Sequence, residues 1–477
     1  MKTAIFYASL VFAATRAAGQ EDYSQWAHNT GFTFNTTATG AGVSADQAGF
    51  PVLIRLDGGY APVFAEAASG GADIRFSKAD GVTRLPYEIE RWDSLGQSAE
   101  IWVRVDTLKG DASTQAIRMF WGKPGALAKS SGAEVFDTSG GYAAVWHFGG
   151  TDSLGALSDA TLNANHGINT GSQDSLGSVH GTRDTAGAIG RGRAFDTTTL
   201  TRVSVAHTPT LEITRQISLS VWINSRDWGP SGPLPNFGNR RILQKGDDGK
   251  AYALREVTDF DSLQFDLGGP AGPVAGASAI ADPPLGEWHL LHATYDGTAA
   301  KLYLDGLPVA VKEDTGAILV SKSVMLIGGK PGSTFRRDFF HGGMDEIRIQ
   351  SVARDSDWIK LEFANQRAAQ TLVMPVPLGV RRRMAGTPAD FRFRASGTGV
   401  LFTLPESADA LRLSISDVRG RLIWSREAAP GKAGREMAWD GRGWDGGSAR
   451  RGLYVVRLAP AKPGSAPLAA RKLPFSP

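Results

Sequence analysis

Glu287-Trp-His-Leu-Leu-His-Ala-Thr-Tyr-Asp-Gly297 is followed closely by Lys301-Leu-Tyr-Leu-Asp-Gly306. In both runs apolar side chains recur at every second position, the period of a strand with one face buried. Each run ends in Asp-Gly, the dipeptide that tolerates positive φ in a tight turn. Together they predict an antiparallel hairpin. Working outward, the same signature recurs in Leu219-Ser-Val-Trp-Ile223, Val324-Met-Leu-Ile327 and Glu346-Ile-Arg-Ile349. It occurs earlier in Pro51-Val-Leu-Ile-Arg-Leu56, Ala72-Asp-Ile-Arg-Phe76, Ile101-Trp-Val-Arg-Val105 and Ile117-Arg-Met-Phe-Trp121. Four more short runs lie near Val400–Leu404, Leu411–Ser416, Leu422–Ser425 and Leu453–Leu458. So many short strands between turn signals predict an all-β chain of β-sandwich domains in series. One helix is expected from about Ser356 to Asn365, capped by Ser356 and laid across a sandwich end.

A chain of 477 residues has a prior of about three domains. Its 58 Gly and 24 Pro stand beside 42% hydrophobic residues, a turn-rich composition that is still globular. Residues 1–19 read as a secretory signal: Lys2, an apolar run from Ala4 to Ala14, then Ala17-Ala18-Gly19. No later segment is long and apolar enough to span a membrane, so the mature chain is expected outside the cell or on its surface. From Pro375 onward 18 Lys/Arg face 8 Asp/Glu, a net of +10, which leaves residues 20–374 at about −9. A Pro-containing stretch around Met374–Arg383 marks the change. The expected organisation is 20–128, 129–370, a linker over 371–397, and a basic module over 398–477.

Cysteine is absent, which removes disulfide scaffolds, thiolate metal sites and cysteine nucleophiles. The phosphate-cradling, dinucleotide and nucleophile-elbow motifs are missing as well. The Arg381-Arg382-Arg383 run in an exported chain is a solvated linker or a contact with anionic surface polymer; a nucleic-acid partner is not expected. A retaining glycosidase would need two carboxylates about 5 Å apart. The nearest candidates are Glu88 with Glu90, and Glu256 with Asp259 and Asp261; neither set makes a convincing catalytic pair, and no catalytic residue is expected.

Three stretches resemble known families. Phe50–Leu56, Gly71–Phe76, Leu85-Pro-Tyr-Glu-Ile-Glu-Arg-Trp-Asp93, Ala99–Val105 and Met119-Phe-Trp-Gly122 resemble domain of unknown function 2341, which brings no activity with it. Val145-Trp-His-Phe148, Ile217–Ile223, Glu287–Gly297, Lys301–Gly306 and Gly342-Gly-Met-Asp-Glu-Ile-Arg-Ile349 are similar to laminin-G-like, concanavalin A-like jelly rolls. That resemblance implies glycan or protein binding, often with calcium. Asp417–Trp424, Trp439-Asp-Gly-Arg442 and Gly452–Leu458 resemble Ig-like C-terminal modules of the flagellar-hook-cap and type IX sorting kinds.

The function expected is non-catalytic recognition of a polysaccharide or surface glycan. The alternative is a structural or adhesive surface protein whose partners are other proteins. The ligand edge is expected in the loop from Arg226 to Arg240, with Trp228, Phe237 and Arg240 as its binding residues, because three Pro and three Gly exclude regular strand there. Structural Ca²⁺ is expected from Asp159, Asn163 and Asn165 with Asp345, an oxygen-rich set of the kind calcium requires. Trp102, Trp121, Trp146, Trp222 and Trp288 are expected in the core. Arg471-Lys-Leu-Pro-Phe475 resembles a sorting tail.

Overall fold

The expected hairpin forms as His289–Tyr295 against Ala299–Leu304. At its turn Gly297 takes φ +95°, and the Asp296 carboxylate accepts from the N–H groups of Thr298 and Ala299. The computed structural model describes residues 21–149, 156–173, 178–227, 239–246, 249–257, 262–269, 272–280, 282–375, 391–396, 399–405, 410–417, 421–432, 434–443, 446–461 and 469–475. The chain divides into two compact units, residues 1–377 and 378–477.

Within the first unit the hairpin belongs to a sheet ordered Arg183–Ala186, Arg191–Phe195, Gly342–Gln350, Ile217–Ser225, His289–Tyr295, Ala299–Leu304 and Leu307–Glu313. Tyr142–Trp146 also pairs with Gly342–Gln350. A second sheet runs Gly272–Ile280, Ser262–Gly269, Tyr252–Val257, Arg241–Lys245, Met325–Ile327, Arg202–Val205, Gly167–Thr170 and Ala156–Leu157. Leu219, Val221, Ile223, Leu291, Ile347 and Ile349 from one sheet meet Leu243, Leu254, Leu263, Phe265, Leu267 and Ile327 from the other in a single buried core. This is the jelly-roll sandwich, and interdigitated aliphatic side chains hold it together.

The same unit holds a smaller sandwich. Gln47–Leu56, Ser98–Leu108 and Tyr87–Asp93 form one sheet; Val373–Pro375, His28–Phe34, Ala116–Trp121, Arg75–Lys78 and Arg84–Leu85 form the other. Val373–Pro375 falls in the stretch expected as linker. It is instead a strand, pairing with His28–Phe34 because Leu372 and Val373 bury their side chains. The two sandwiches therefore share one unit, and the chain returns to the first before leaving it.

The helix spans Ser356–Gln366, and its cap is Asp355, whose carboxylate accepts from the Trp358 N–H, not Ser356. It lies between the two sandwiches instead of across an end. On one side Trp358 meets Phe50 edge-on, and the Asn365 side chain bonds both the N–H and the C=O of Leu53, at 2.7 and 3.1 Å. On the other, Gln366 accepts from Trp222 Nε1 at 2.7 Å and Glu362 meets His292 at 2.9 Å. Trp102, Trp121, Trp146 and Trp222 are buried as expected. Trp288 is only half-buried: it stands before the strand and its ring covers Gly343, which has no side chain to displace it.

The second unit pairs Arg392–Ser396, Gly399–Leu404 and Arg435–Trp439 in one sheet, and Leu422–Ala428, Leu411–Asp417, Gly452–Pro460 and Ala469–Phe475 in another. The stretch read as a sorting tail lies within the last strand, where Leu473 and Phe475 are buried and Phe475 packs on Trp439.

Candidate functional site

The two jelly-roll sheets differ in what lies on their outer faces. In Ile217–Ser225 the inward Leu219, Val221 and Ile223 alternate with Ser218, Ser220 and Trp222, and these too are buried. The helix and the first sandwich cover them. The outward positions of the other sheet are polar, with Arg255, Gln264 and Asp266 half-buried and Arg241 and Gln244 buried. Pairing of Arg241 with Arg255, Arg255 with Gln264 and Ala253 with Asp266 sets those residues side by side on one face.

On that face a cleft of about 300 Å³ is lined by Asn239, Arg241, Gln244, Lys250, Arg255, Asp266 and Lys330, among others. Ala253 and Gly276 flank Asp266 across the strands and leave a low floor beside it. Arg255 donates to Asp266 at 2.5 Å and to Asn239 Oδ1, while Arg241 donates to Gln244 at 2.5 Å. A guanidinium carries five N–H donors, so pairing of this kind orients Arg255 while leaving it chemistry to offer. Four cationic side chains face one carboxylate. A larger cleft of about 780 Å³ includes Thr210, Glu212, Thr214, Gln216, Asp296 and Ser351. Arg215 lines it too, while its acids hold the fold: burial pushes the Asp296 carboxyl up, but the hydrogen bonds of its own turn prevail and keep it at about 2, and Glu212 meets His207 at 3.3 Å.

Trp228 and Phe237 lie outside the described residues. Arg240 is buried and supports the stem of its loop, donating to the carbonyls of Arg336 and Phe339 at 3.1 and 3.0 Å and to Asp227. Asp227 also meets His341 at 2.5 Å. Close by, Asn239 N–H donates to the Arg337 carbonyl, and Phe335 on the same segment is 60% exposed. Sequence reasoning did not single out Phe335.

The four residues expected to share calcium fall into two separate hydrogen-bond networks. Asp159 is buried, and its carboxylate accepts from the N–H groups of Val145, Thr161 and Asn165 and from the Thr161 hydroxyl. Asn163 and Asn165 donate to the Ala143 carbonyl at 2.9 Å each. That is the bonding of a loop organiser, whose carboxylate lone pairs are taken by N–H and O–H donors. Asp345 instead accepts from Ile189 N–H and Glu346 N–H.

A cluster that sequence reasoning did not assemble occupies the junction of the two sandwiches. His147 follows the strand Tyr142–Trp146 and meets Glu346 through Nδ1 at 2.5 Å and Glu88 through Nε2 at 3.2 Å. Glu90 Oε2 lies 3.7 Å from Nδ1 and accepts from Trp102 Nε1 at 2.8 Å. Arg348 bridges Glu346 and Glu362 at 2.8 Å each and lies 4.4 Å from the centre of the Trp102 ring. A β-bulge in Gly342–Gln350, with Glu346 at φ +49°, turns both Asp345 and Glu346 to this side. Burial, reinforced by Glu346, pushes Glu90 well above the usual carboxylate range. Burial also works against the charge on Glu346, but His147 and Arg348 prevail and hold it low. For His147 the Glu346 and Glu88 carboxylates overcome burial and raise it.

Three segments match family models: residues 70–143 the domain of unknown function 2341, 197–360 the concanavalin A-like lectin/glucanases superfamily, and 391–464 the FlgD Ig-like domain. The middle description spans lectins and glucanases, so it fixes the jelly-roll fold and not an activity. No curated protein sequence matches the chain. Among solved structures, domain 4 of a GH43 arabinanase from Geobacillus stearothermophilus, in complex with arabinotriose, is 17% identical; the match covers 46% of this chain and 97% of that one, with a TM-score of 0.35. The binding domain of botulinum neurotoxin serotype C1 is 12% identical over 71% of this chain and 74% of that one, with a TM-score of 0.37. Scores this low carry no argument about what the chain binds.

Proposed function

We propose that this is a glycan-binding protein, and that its ligand is an acidic polysaccharide held on the outer face of the sheet containing Arg241–Lys245, Tyr252–Val257 and Ser262–Gly269. The observation that carries the reading is the cleft of Asn239, Arg241, Gln244, Lys250, Arg255, Asp266 and Lys330 on the sheet face that the first sandwich does not cover. Its lining includes four cations and one carboxylate, which suits uronate or sulfate groups, and guanidinium matches such oxyanions bidentately. Phe335, 60% exposed, holds the Arg337 guanidinium 4.7 Å from its ring centre and leaves its other face for a sugar. The role is binding without catalysis, on an exported chain whose second unit holds or directs it at the cell surface.

Affinity electrophoresis tests it. The chain should be retarded by acidic polysaccharides such as polygalacturonate, less so as salt rises, and K250A/R255A should abolish the retardation at an unchanged melting temperature. Retardation by neutral polysaccharides alone, or an unaffected K250A/R255A, would overturn the reading.

A further inference from the structure

We propose that Glu90, His147 and Glu346 form a binding site for a divalent transition-metal ion, with Zn²⁺ the best chemical match, that joins the two sandwiches of the first unit. One ligand atom from each lies within 4.8 Å of the other two. Glu90 comes from the strand Tyr87–Asp93 of the first sandwich, and His147 and Glu346 come from the jelly roll. An ion here would tie together elements that are far apart in the chain.

An imidazole nitrogen with two carboxylate oxygens is a set suited to Zn²⁺ and its neighbours, whereas calcium calls for six to eight oxygens. The surrounding bonds orient these ligands as outer partners do in metal sites. Glu88 stands 3.2 Å from His147 Nε2 and can keep an N–H there, while Nδ1, which shares a proton with Glu346 at 2.5 Å, would release that proton on taking up the ion. Arg348 holds the second oxygen of Glu346 at 2.8 Å, and Trp102 donates to Glu90 at 2.8 Å.

Glu90 supplies the independent sign. Its side chain is 3% exposed; Oε2, 3.7 Å from His147 Nδ1, accepts from Trp102, while Oε1 is buried without a hydrogen-bond partner. Oε1 lies close against Gly190, where a Cβ would come within 3.3 Å of it, so a small rotation of the carboxylate is what would bring it to an ion. A buried carboxylate oxygen with no donor is costly, and a cation answers that cost. Bonds of 2.0–2.2 Å to a tetrahedral ion set its ligands about 3.3 Å apart. The 3.7 Å from Glu90 to Nδ1 is already close to this, and the 2.5 Å from Nδ1 to Glu346 would open by less than an ångström.

The test uses the full chain, free of any tag, stripped with chelator and titrated with Zn²⁺ by calorimetry and with Co²⁺ by visible absorption. One ion per chain is expected, with a higher melting temperature and a Co²⁺ spectrum of low coordination number. E90Q, which keeps shape and removes the charge, should weaken Zn²⁺ binding more than a hundredfold while melting no lower than the stripped wild-type chain. E88Q, at the outer position, should weaken it 10- to 100-fold, and it decides the matter if E90Q does not fold. A wild-type chain that binds no Zn²⁺ at micromolar concentration would overturn the proposal. So would E90Q or E88Q binding as tightly as wild type, which would place the ion at a surface histidine.

Discussion

Replacing Arg348 with Met should destabilise the first unit by about 4 kcal/mol, since removing one partner from a buried ion pair costs about 3–5 kcal/mol. Arg348 is about 1% exposed and is shared by two carboxylates, Glu346 and Glu362, each 2.8 Å away and each buried. Met fills much of the same volume, so the loss is electrostatic and not a cavity. Scaled by an unfolding entropy of about 2.1 cal/mol/K per residue over roughly 350 residues, 4 kcal/mol lowers the melting temperature by about 5 °C. The orphaned carboxylates would then take up protons to escape burial, so the penalty should be smaller at pH 5 than at pH 8. The assay is urea and thermal denaturation in EDTA at both pH values, following the first unit's transition. Adding E362Q to R348M should recover part of the loss. A penalty under 1 kcal/mol at pH 8, or one that E362Q leaves unchanged, would refute the claim that this network is an electrostatic clamp.

Burial pushes the Glu362 carboxyl up, but Arg348 and His292 prevail and hold it at about 2, against an ordinary 4.5. A depressed acid contributes stability that is present above its unfolded pKa and is lost as pH falls through its folded pKa. Glu362 should therefore add about 3 kcal/mol above pH 5, disappearing toward pH 2, and E362Q should flatten that limb of the stability curve. N365A leaves the N–H and C=O of Leu53 without their amide partner and should cost about 2–4 kcal/mol by urea denaturation. Truncation after Pro377 should leave the first unit's melting temperature within a degree of its value in the full chain, as calorimetry would show.

The strands of the fold were legible because alternation and Asp-Gly turns are local signals. The hairpin 289–304 and the strands around Ile217–Ser225 and Gly342–Gln350 followed directly from them. The strand Gly272–Ile280, rich in Gly and Ala, carries little apolar contrast and gave no such sign, whereas Ser262–Gly269 does alternate, with Leu263, Phe265 and Leu267 turned into the core, and was passed over. The junction cluster was out of reach for another reason. Its residues sit inside three motifs that were read singly: Leu85–Asp93, Val145–Phe148 and Gly342–Ile349. Glu88 is 59 residues from His147, and Glu346 is 199; pairing over such distances is set by how sheets stack, not by spacing. One signal was present in the polar positions of Tyr-Glu-Ile-Glu, Asp-Glu-Ile-Arg and His-Leu-Leu-His. In the first two, acidic and basic groups alternate with apolar residues, as expected when the second face of a sheet is buried against a polar layer, while in the third only His292 stands on that face. The cleft of the other sheet was hidden likewise, since Arg241, Arg255 and Asp266 come together only through strand register.

The most direct test of the central claim is hydrogen exchange on the full chain, with and without a saturating acidic oligosaccharide such as a galacturonate oligomer. The account predicts added protection in Arg241–Lys245, Tyr252–Val257 and Ser262–Gly269, with none in Gly342–Gln350 on the covered sheet. Protection centred instead on Thr210–Gln216 and Asp296, or no change anywhere at concentrations that saturate acidic polysaccharide binding, would contradict it.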